Sequence, residues 1–345
     1  MNKYLLLLCL MLSACCCIAQ KANLQSYYYW INQAELAICD SNYQKASDCY
    51  HQAFAYNKPF SRDAYFAFKL NYKYTNNIER AVEAYHFQAQ MGQKAIDQYG
   101  PIISDTLEYH TLWEQIKEVS DTTISLVIPE LQNSLFEILY SDQNVRRNSE
   151  QYGSDEEWET AMWKTDSTNW EKLRNLYRTY PVINDYTAGM DMVLTALYIH
   201  FRRAMLVDPQ EILLQELYKG NVNASLYARL EDRCMYDVSI DQKNNKQTVY
   251  GTNSACFFCI DSLGFILLPK NVKKIDKERN RILLSETWED YAKKICYRYC
   301  NDTEFNIAPF TFVYQGDSEE TDKLINDIKK ENVKGSYYIL PNSVR

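Results

Sequence analysis

The feature that most restricts the possible folds of this chain is an internal repeat of 35 residues. The stretch NYQKASDCYH at residues 42–51 recurs as NIERAVEAYH at residues 77–86, with Asn, Ala, Tyr and His in the same places. A repeat of this length corresponds to one pair of helices, and stacked pairs bury a core that a single pair cannot. The 345 residues include only 9 Gly and 8 Pro, which favours long helices. The repeat therefore predicts a mainly α chain that begins with antiparallel helix pairs.

The residues around this repeat resemble a short tetratricopeptide array over roughly residues 30–92. The first unit has residues of the types that the family favours: large Trp30, small Ala34 and Ala53, and aromatic Tyr43. Pro59 follows where the repeat usually ends. Small Ala34 and Ala46 would let two helices approach closely. The second unit departs from the pattern at Lys69 and Gln88. The resemblance implies a helical groove that holds a protein or peptide partner, and the alternative is an unrelated pair of helical hairpins.

The first 19 residues have the pattern of an export leader. A basic start at Lys3 precedes an apolar run over residues 4–14, which is about half the length of a transmembrane helix. Leu-Ser-Ala-Cys15 resembles a bacterial lipobox, in which Cys15 is acylated and becomes the mature N-terminus. Cys17-Ile-Ala19 before Gln20 is a competing cleavage site. We favour the lipobox and expect a cell-envelope lipoprotein that faces the periplasm or the surface, with a soluble periplasmic or secreted protein as the alternative.

Charge and cysteine content narrow the possible partners and ligands. The net charge of −8 disfavours non-specific nucleic-acid binding, and without another long apolar run we expect membrane contact through an N-terminal lipid only. Seven cysteines follow the leader, so at least one thiol is free or pairs between chains. Structural disulfides or buried thiols are the favoured interpretation. The alternatives are a zinc site at Cys256, Cys259, Cys296 and Cys300, or a redox site at the C-x-x-C pair Cys256 and Cys259. We expect no metal and no cofactor, and we interpret His51 and His86 as helix-surface residues.

A second block, roughly residues 128–295, carries an ordered set of short motifs. In chain order these are D-Q-x-x-R, D-x-x-N, a mid-helix His, Y-A-x-L-x-D-R and Q-x-Y-G-T, formed by Asp142, Gln143 and Arg146; Asp166 and Asn169; His200; Tyr227, Ala228, Leu230, Asp232 and Arg233; and Gln247, Tyr250, Gly251 and Thr252. The set resembles a bacterial domain of unknown function, in which a stretch with Arg279 and Tyr291 commonly follows. The chain departs from that pattern at Asn253, Tyr180-Pro181 and Phe201-Arg202. The resemblance implies a fold and candidate positions, but no reaction.

The motif residues suggest two opposed hypotheses. In the first, a cleft joins acid, base and anion-holding groups for hydrolysis, with the catalytic residues His200, Asp142, Arg146, Asp166, Asp232 and Arg233 and the binding residues Gln143, Asn169 and Tyr250. In the second, which we favour, buried polar groups fix helix packing and cap the turn at residues 250–252. The sequence contains no G-x-S-x-G, H-E-x-x-H or P-loop motif.

These patterns together predict four segments. They are a leader at 1–19, helical repeats at 20–125, a helical α+β domain with a β-hairpin at 126–297, and a small β-α-β tail at 298–345. The hairpin is expected from β-like runs at 256–260 and 265–268, and the tail from strands at 310–314 and 337–340 around a helix at 318–332. We expect an exported protein-interaction or scaffold lipoprotein, and the alternative is an envelope hydrolase.

Overall fold

The structure is a computed structural model, and its helices account for most of what it describes. The described residues are 3–94, 97, 109–189, 210–238, 249–252, 257–260, 263–267, 271–300, 304–307, 326 and 337–339. The described helices are α1 Lys3–Cys39, α2 Tyr43–Tyr56, α3 Ser61–Lys73, α4 Ile78–Gln90, α5 His110–Thr122, α6 Pro129–Arg147, α7 Asp155–Thr179, α8 Asp185–Ala188, α9 Gln210–Tyr218, α10 Ala224–Val238, α11 Val272–Arg281 and α12 Trp288–Cys300. The predicted mainly helical class is confirmed.

Three short strands accompany the helices: β1 Phe257–Ile260, β2 Leu263–Leu267 and β3 Tyr337–Ile339. They pair antiparallel in the order β1-β2-β3, with Cys259 opposite Gly264 and Phe265 opposite Ile339. The first predicted tail strand, at 310–314, and nearly all of the helix at 318–332 lie outside the described residues. The finer predictions of a β-hairpin and a β-α-β tail therefore stay predictions.

Helices α1 to α4 pack as two successive pairs, α1 with α2 and α3 with α4. Equivalent residues begin the second helix of each pair. The Asn42 side chain accepts a hydrogen bond from the Lys45 backbone N–H at 3.2 Å, and the Asn77 side chain accepts one from Arg80 N–H at 3.1 Å. Asparagine is a preferred N-cap because its carbonyl oxygen satisfies an amide that the helix leaves unpaired. The repeat in sequence is thus a repeat in local structure.

Small residues lie where the paired helices meet. Ala34, Ala46 and Ala81 are fully buried, which permits the close approach that the sequence predicts. The departures in the second unit have partners of their own. Gln88 is fully buried and donates to the Ala64 carbonyl at 3.4 Å, while Lys69 extends to the Glu304 carbonyl at 3.2 Å. Gln88 therefore links α4 to α3 within the pair, whereas Lys69 links the pair to a later part of the chain.

The faces of α1 and α3 contact the second half of the chain. Tyr28 Oη accepts a hydrogen bond from Ala224 N–H at 3.0 Å, and Asn32 donates to Asp290 at 3.0 Å. Phe66 of α3 meets Phe305 edge-on at 5.7 Å between ring centroids. The helix pairs and the later helices therefore share one core, and part of the surface expected to hold a partner is covered by the chain itself.

Candidate functional site

The D-Q-x-x-R and D-x-x-N motifs meet between α6 and α7. Arg146 Nη1 donates to Asp142 Oδ1 at 2.7 Å, and Arg146 Nη2 donates to both carboxylate oxygens of Asp166 at 2.8 Å. Gln143 Nε2 donates to the other oxygen of Asp142 at 2.7 Å. Asp142 is fully buried and Asp166 is buried, whereas the Arg146 side chain is 20% exposed. One guanidinium therefore binds a carboxylate from each helix, and such charge-assisted contacts are strong and directional.

Asn169 continues this contact one turn along α7. Its Nδ2 donates to the Ile138 carbonyl at 3.2 Å, and its Oδ1 accepts from Ser141 Oγ at 2.7 Å. Asn169 is 1% exposed, so both ends of its amide are satisfied inside the helix pair. Asp142, Arg146, Asp166 and Asn169 thus join α6 to α7, as the favoured hypothesis of a packing network describes.

Asp232 caps the turn at residues 250–252. Its carboxylate accepts hydrogen bonds from Tyr250 N–H at 2.9 Å, from Thr252 N–H at 2.7 Å and from Thr252 Oγ1 at 2.8 Å. Burial raises the pKa of Asp232, and these three donors oppose that rise. Gly251 in the turn has φ +68°, and an added Cβ would lie 2.7 Å from Trp288 Cδ1. The turn therefore requires glycine both for its backbone and for its packing.

Later helices hold the same turn from the other side. Arg279 Nη1 donates to the Tyr250 carbonyl at 2.6 Å, and Tyr291 Oη donates to the Thr252 carbonyl at 3.1 Å. The Arg279 guanidinium also lies 4.8 Å from the centroid of the Tyr291 ring. One structural unit between α10, α11 and α12 therefore contains the motif residues Asp232, Tyr250 and Thr252 together with Arg279 and Tyr291.

A cluster of charged side chains that the sequence analysis did not find lies between α1 and α12. Lys294 Nζ donates to Glu35 Oε2 and to Glu286 Oε2, each at 2.6 Å. Arg62 Nη2 donates to Glu35 Oε1 at 2.8 Å, and Arg279 forms an ion pair with Glu286. We call Glu35, Arg62, Arg279, Glu286 and Lys294 the ionic core. Four of its members are buried, and the Arg62 side chain is 18% exposed.

The pKa values in the ionic core follow from burial and pairing. Burial raises the pKa of Glu35, although Lys294 and Arg62 oppose the rise. Burial would also raise the pKa of Glu286, but Lys294 and Arg279 outweigh it and lower that pKa to about 2. Burial disfavours the charged form of Lys294, yet Glu286 and Glu35 raise its pKa above the usual value. The pairing with Glu286 and Glu35 therefore favours the charged form of Lys294 in spite of its burial.

The sequence carried a weak signal for this cluster. Glu35 lies among buried Ala34, Ala37 and Ile38 on α1, and Lys294 lies between buried Ala292 and Ile295 on α12. A charged residue on an apolar helix face is rarely buried unless it is paired. That pattern indicates a buried ion pair, but it does not identify the partner.

Several predicted site residues lie beyond what the structure describes. His200 and Gln247 are outside the described residues, so no contact of the proposed base is known. Arg233 belongs to α10 and Cys15 to α1, but the description of those two positions stops at the backbone. His51 and His86 are both exposed: His51 Nδ1 lies 3.1 Å from Glu83, and His86 Nδ1 lies 3.1 Å from Thr123 Oγ1.

Within the described part of the chain, no three His, Cys, Asp or Glu side chains gather as metal ligands would. Cys39, Cys49 and Cys296 are buried free thiols, and burial raises the pKa of Cys39 to about 12.

Among the helices described, none combines the length and apolar character that crossing a bilayer requires. A cleft of about 290 Å³ with a mixed polar and apolar lining lies where α4, α5 and α6 meet, and its lining includes Gln93, Ser120 and Val127.

Comparison with known proteins gave no match: no family model, no curated protein and no solved structure is significantly similar to this chain. The carboxylates considered for catalysis bind a guanidinium (Asp142 and Asp166) or cap a turn (Asp232). Their carboxylate oxygens already accept structural hydrogen bonds, which suits packing better than proton transfer.

Proposed function

We propose that this chain is an exported, lipid-anchored interaction protein of the bacterial cell envelope, and not a hydrolase. The observation that carries the proposal is the double ion pair of Arg146 with Asp142 and Asp166. A general acid or base needs access to a substrate and a pKa suited to proton transfer. Here two of the three candidate carboxylates are tied to one arginine between two helices. The hydrolase alternative depends on His200, for which no contact is described.

The leader is compatible with either processing site. Residues 19–23 of α1 are exposed, and Leu24 is the first buried residue among those whose side chains are described. Removal of the chain before Cys15 or before Gln20 would therefore keep the described core intact. The lipobox at Cys15 supports the version with a lipid anchor.

The α2–α4 face is the surface that we propose for a protein partner. It carries polar side chains that pair across the two helices: half-buried Arg80 donates to exposed Asp48 at 2.6 Å, and exposed His51 Nδ1 lies 3.1 Å from Glu83. The opposite faces of α1 and α3 contact the chain's own residues. A partner of the repeat segment would accordingly meet a polar, charged surface. A β-hairpin at residues 256–268 and a β-α-β tail at residues 298–345 also remain our proposal.

Substitution of the two carboxylates separates the two functions without knowledge of a substrate. We expect Asp142→Asn and Asp166→Asn each to lower the free energy of unfolding by about 3 kcal/mol, because each leaves buried polar groups incompletely paired. Catalytic carboxylates commonly lower the stability of the protein that carries them. If Asp142 and Asp166 formed an active site, the two variants should therefore have an unchanged or higher free energy of unfolding. Urea unfolding of the purified mature chain measures the difference.

Glu171→Gln is the matched control on α7. Glu171 also pairs with an arginine, Arg174, at 2.9 Å, but its side chain is 56% exposed. Exposed pairs contribute between 0 and about 1 kcal/mol, so this variant should unfold much like the wild type. If Asp142→Asn and Asp166→Asn are as stable as Glu171→Gln, the packing role is wrong.

A further inference from the structure

We propose that the end of the molecule next to the α1 leader is a surface that binds anionic lipid headgroups. The surface is formed by Lys21, Lys58 and Lys219, which we call the lysine face. The inference rests on the proposed lipid anchor and adds a second, electrostatic contact with the membrane. All three lysines are exposed.

Chain contacts bring together the three segments that carry these lysines. Gln20 Nε2, next to Lys21, donates to the Lys219 carbonyl at 2.6 Å. A Cβ added at Gly220 would lie 3.3 Å from Leu24 Cδ2 and 3.7 Å from Asn57 Oδ1. The segments that carry Lys58 and Lys219 therefore meet beside the first buried turn of α1.

Tyrosine rings lie under two of the ammonium groups. Lys21 Nζ is 5.3 Å from the centroid of the Tyr218 ring, and Lys58 Nζ is 5.0 Å from that of Tyr186. Tyr56, beside this face, is 41% exposed. Lysine and tyrosine side chains have an apolar body and a polar end, and both are favoured where a protein meets lipid headgroups.

The position of Cys15 explains why a lipid surface is the partner. Helix α1 is continuous from Lys3 to Cys39, and Leu24 lies nine positions after Cys15, a rise of about 14 Å along the helix. A lipid on Cys15 would place this end of the molecule close to the headgroups. The chain as a whole is acidic, with a net charge of −8, so cations gathered at the near end favour contact with an anionic bilayer.

The three lysines should contribute unequally. Lys219 Nζ lies 2.6 Å from Glu216 Oε1, which already offsets its charge. Lys21 and Lys58 lie over tyrosine rings, which leaves their charge available to a phosphate. Each lysine near an anionic bilayer strengthens binding by about fivefold. We therefore expect Lys21 and Lys58 to account for most of the attraction.

Vesicle sedimentation of the unlipidated mature chain, starting at Gln20, tests the inference. The probe is vesicles with 30% anionic phospholipid, compared with wholly zwitterionic vesicles, at about 50 mM and 300 mM salt. We expect the wild type to bind the anionic vesicles at low salt. The double variant Lys21→Gln with Lys58→Gln should bind about thirtyfold more weakly, and Lys219→Gln less than fivefold more weakly.

Lys164→Gln with Lys172→Gln is the control, since it removes the same charge from exposed positions on α7. An equal loss of binding in this control would overturn the inference, as would a wild type that binds neither type of vesicle. Binding to poly-glutamate instead of vesicles, lost in the double variant, would identify a protein-docking surface and also overturn it. The chain used in this test carries no lipid, so a negative result would not contradict the lipid anchor at Cys15. Mass spectrometry of the native N-terminus tests that anchor separately.

Discussion

In the ionic core, charged side chains are buried where opposite charges meet them. Lys294 is 1% exposed between Glu35 and Glu286, and Arg279 is fully buried beside Glu286. An unpaired charge in such a place would cost several kcal/mol, so each member depends on the others. Because the pKa of Glu286 depends on its partners, the pH dependence of stability measures this dependence.

Acid should weaken the protein through Glu286. Its pKa is lowered to about 2 in the folded chain from 4.5, so its contribution is complete above pH 4.5 and is lost as the pH falls toward 2. The loss amounts to about 3 kcal/mol for a shift of this size. Urea unfolding at several pH values from 6 to 2 measures it.

Glu286→Gln is the control for this pH dependence, because glutamine has a similar shape and does not titrate. Its stability should be lower at pH 6 and should change less between pH 4.5 and 2. Glu35, whose pKa is raised, contributes with the opposite sign, and the loss of the Glu286 charge removes one of the causes of that rise. Parallel acid curves for the two proteins would contradict the assignment to Glu286.

At the scale of helices, close approach depends on alanine. Ala46 is fully buried on α2, which packs against α1. Ala46→Leu should lower the free energy of unfolding by about 1–3 kcal/mol, because added methyl groups cannot fit without moving the helices. Ala55 is exposed on the same helix, so Ala55→Leu is the matched control and should change stability little. Thermal unfolding compares them, and equal melting temperatures would exclude a tight crossing at Ala46.

At the scale of the whole molecule, the leader determines where the protein resides. If Cys15 is the lipidated residue, mass spectrometry of the native protein should find an acylated N-terminal Cys15. Cys15→Ala should release the protein from membranes, whereas Cys16→Ala should not. An unmodified N-terminus at Gln20 would mean that the lipid-anchor proposal is wrong.

The parts of this protein that the sequence by itself determined depend on neighbours along the chain. The Asn42 and Asn77 caps and the pairing of Asp142 with Arg146 involve residues three or four positions apart, where helix geometry alone sets the distance. The 35-residue repeat likewise predicts the two helix pairs, because its period corresponds to a local unit of structure.

Tertiary structure alone decided the ionic core and the covering of α1 and α3. Lys294 and Glu35 are separated by 259 residues, and nothing near either residue identifies the other as its partner. Their pairing follows from the docking of α12 on α1, which buries both charges and makes each the partner that the other requires. Long-range contacts of this kind depend on how helices stack, whereas periodicity reports only which face of a helix is apolar.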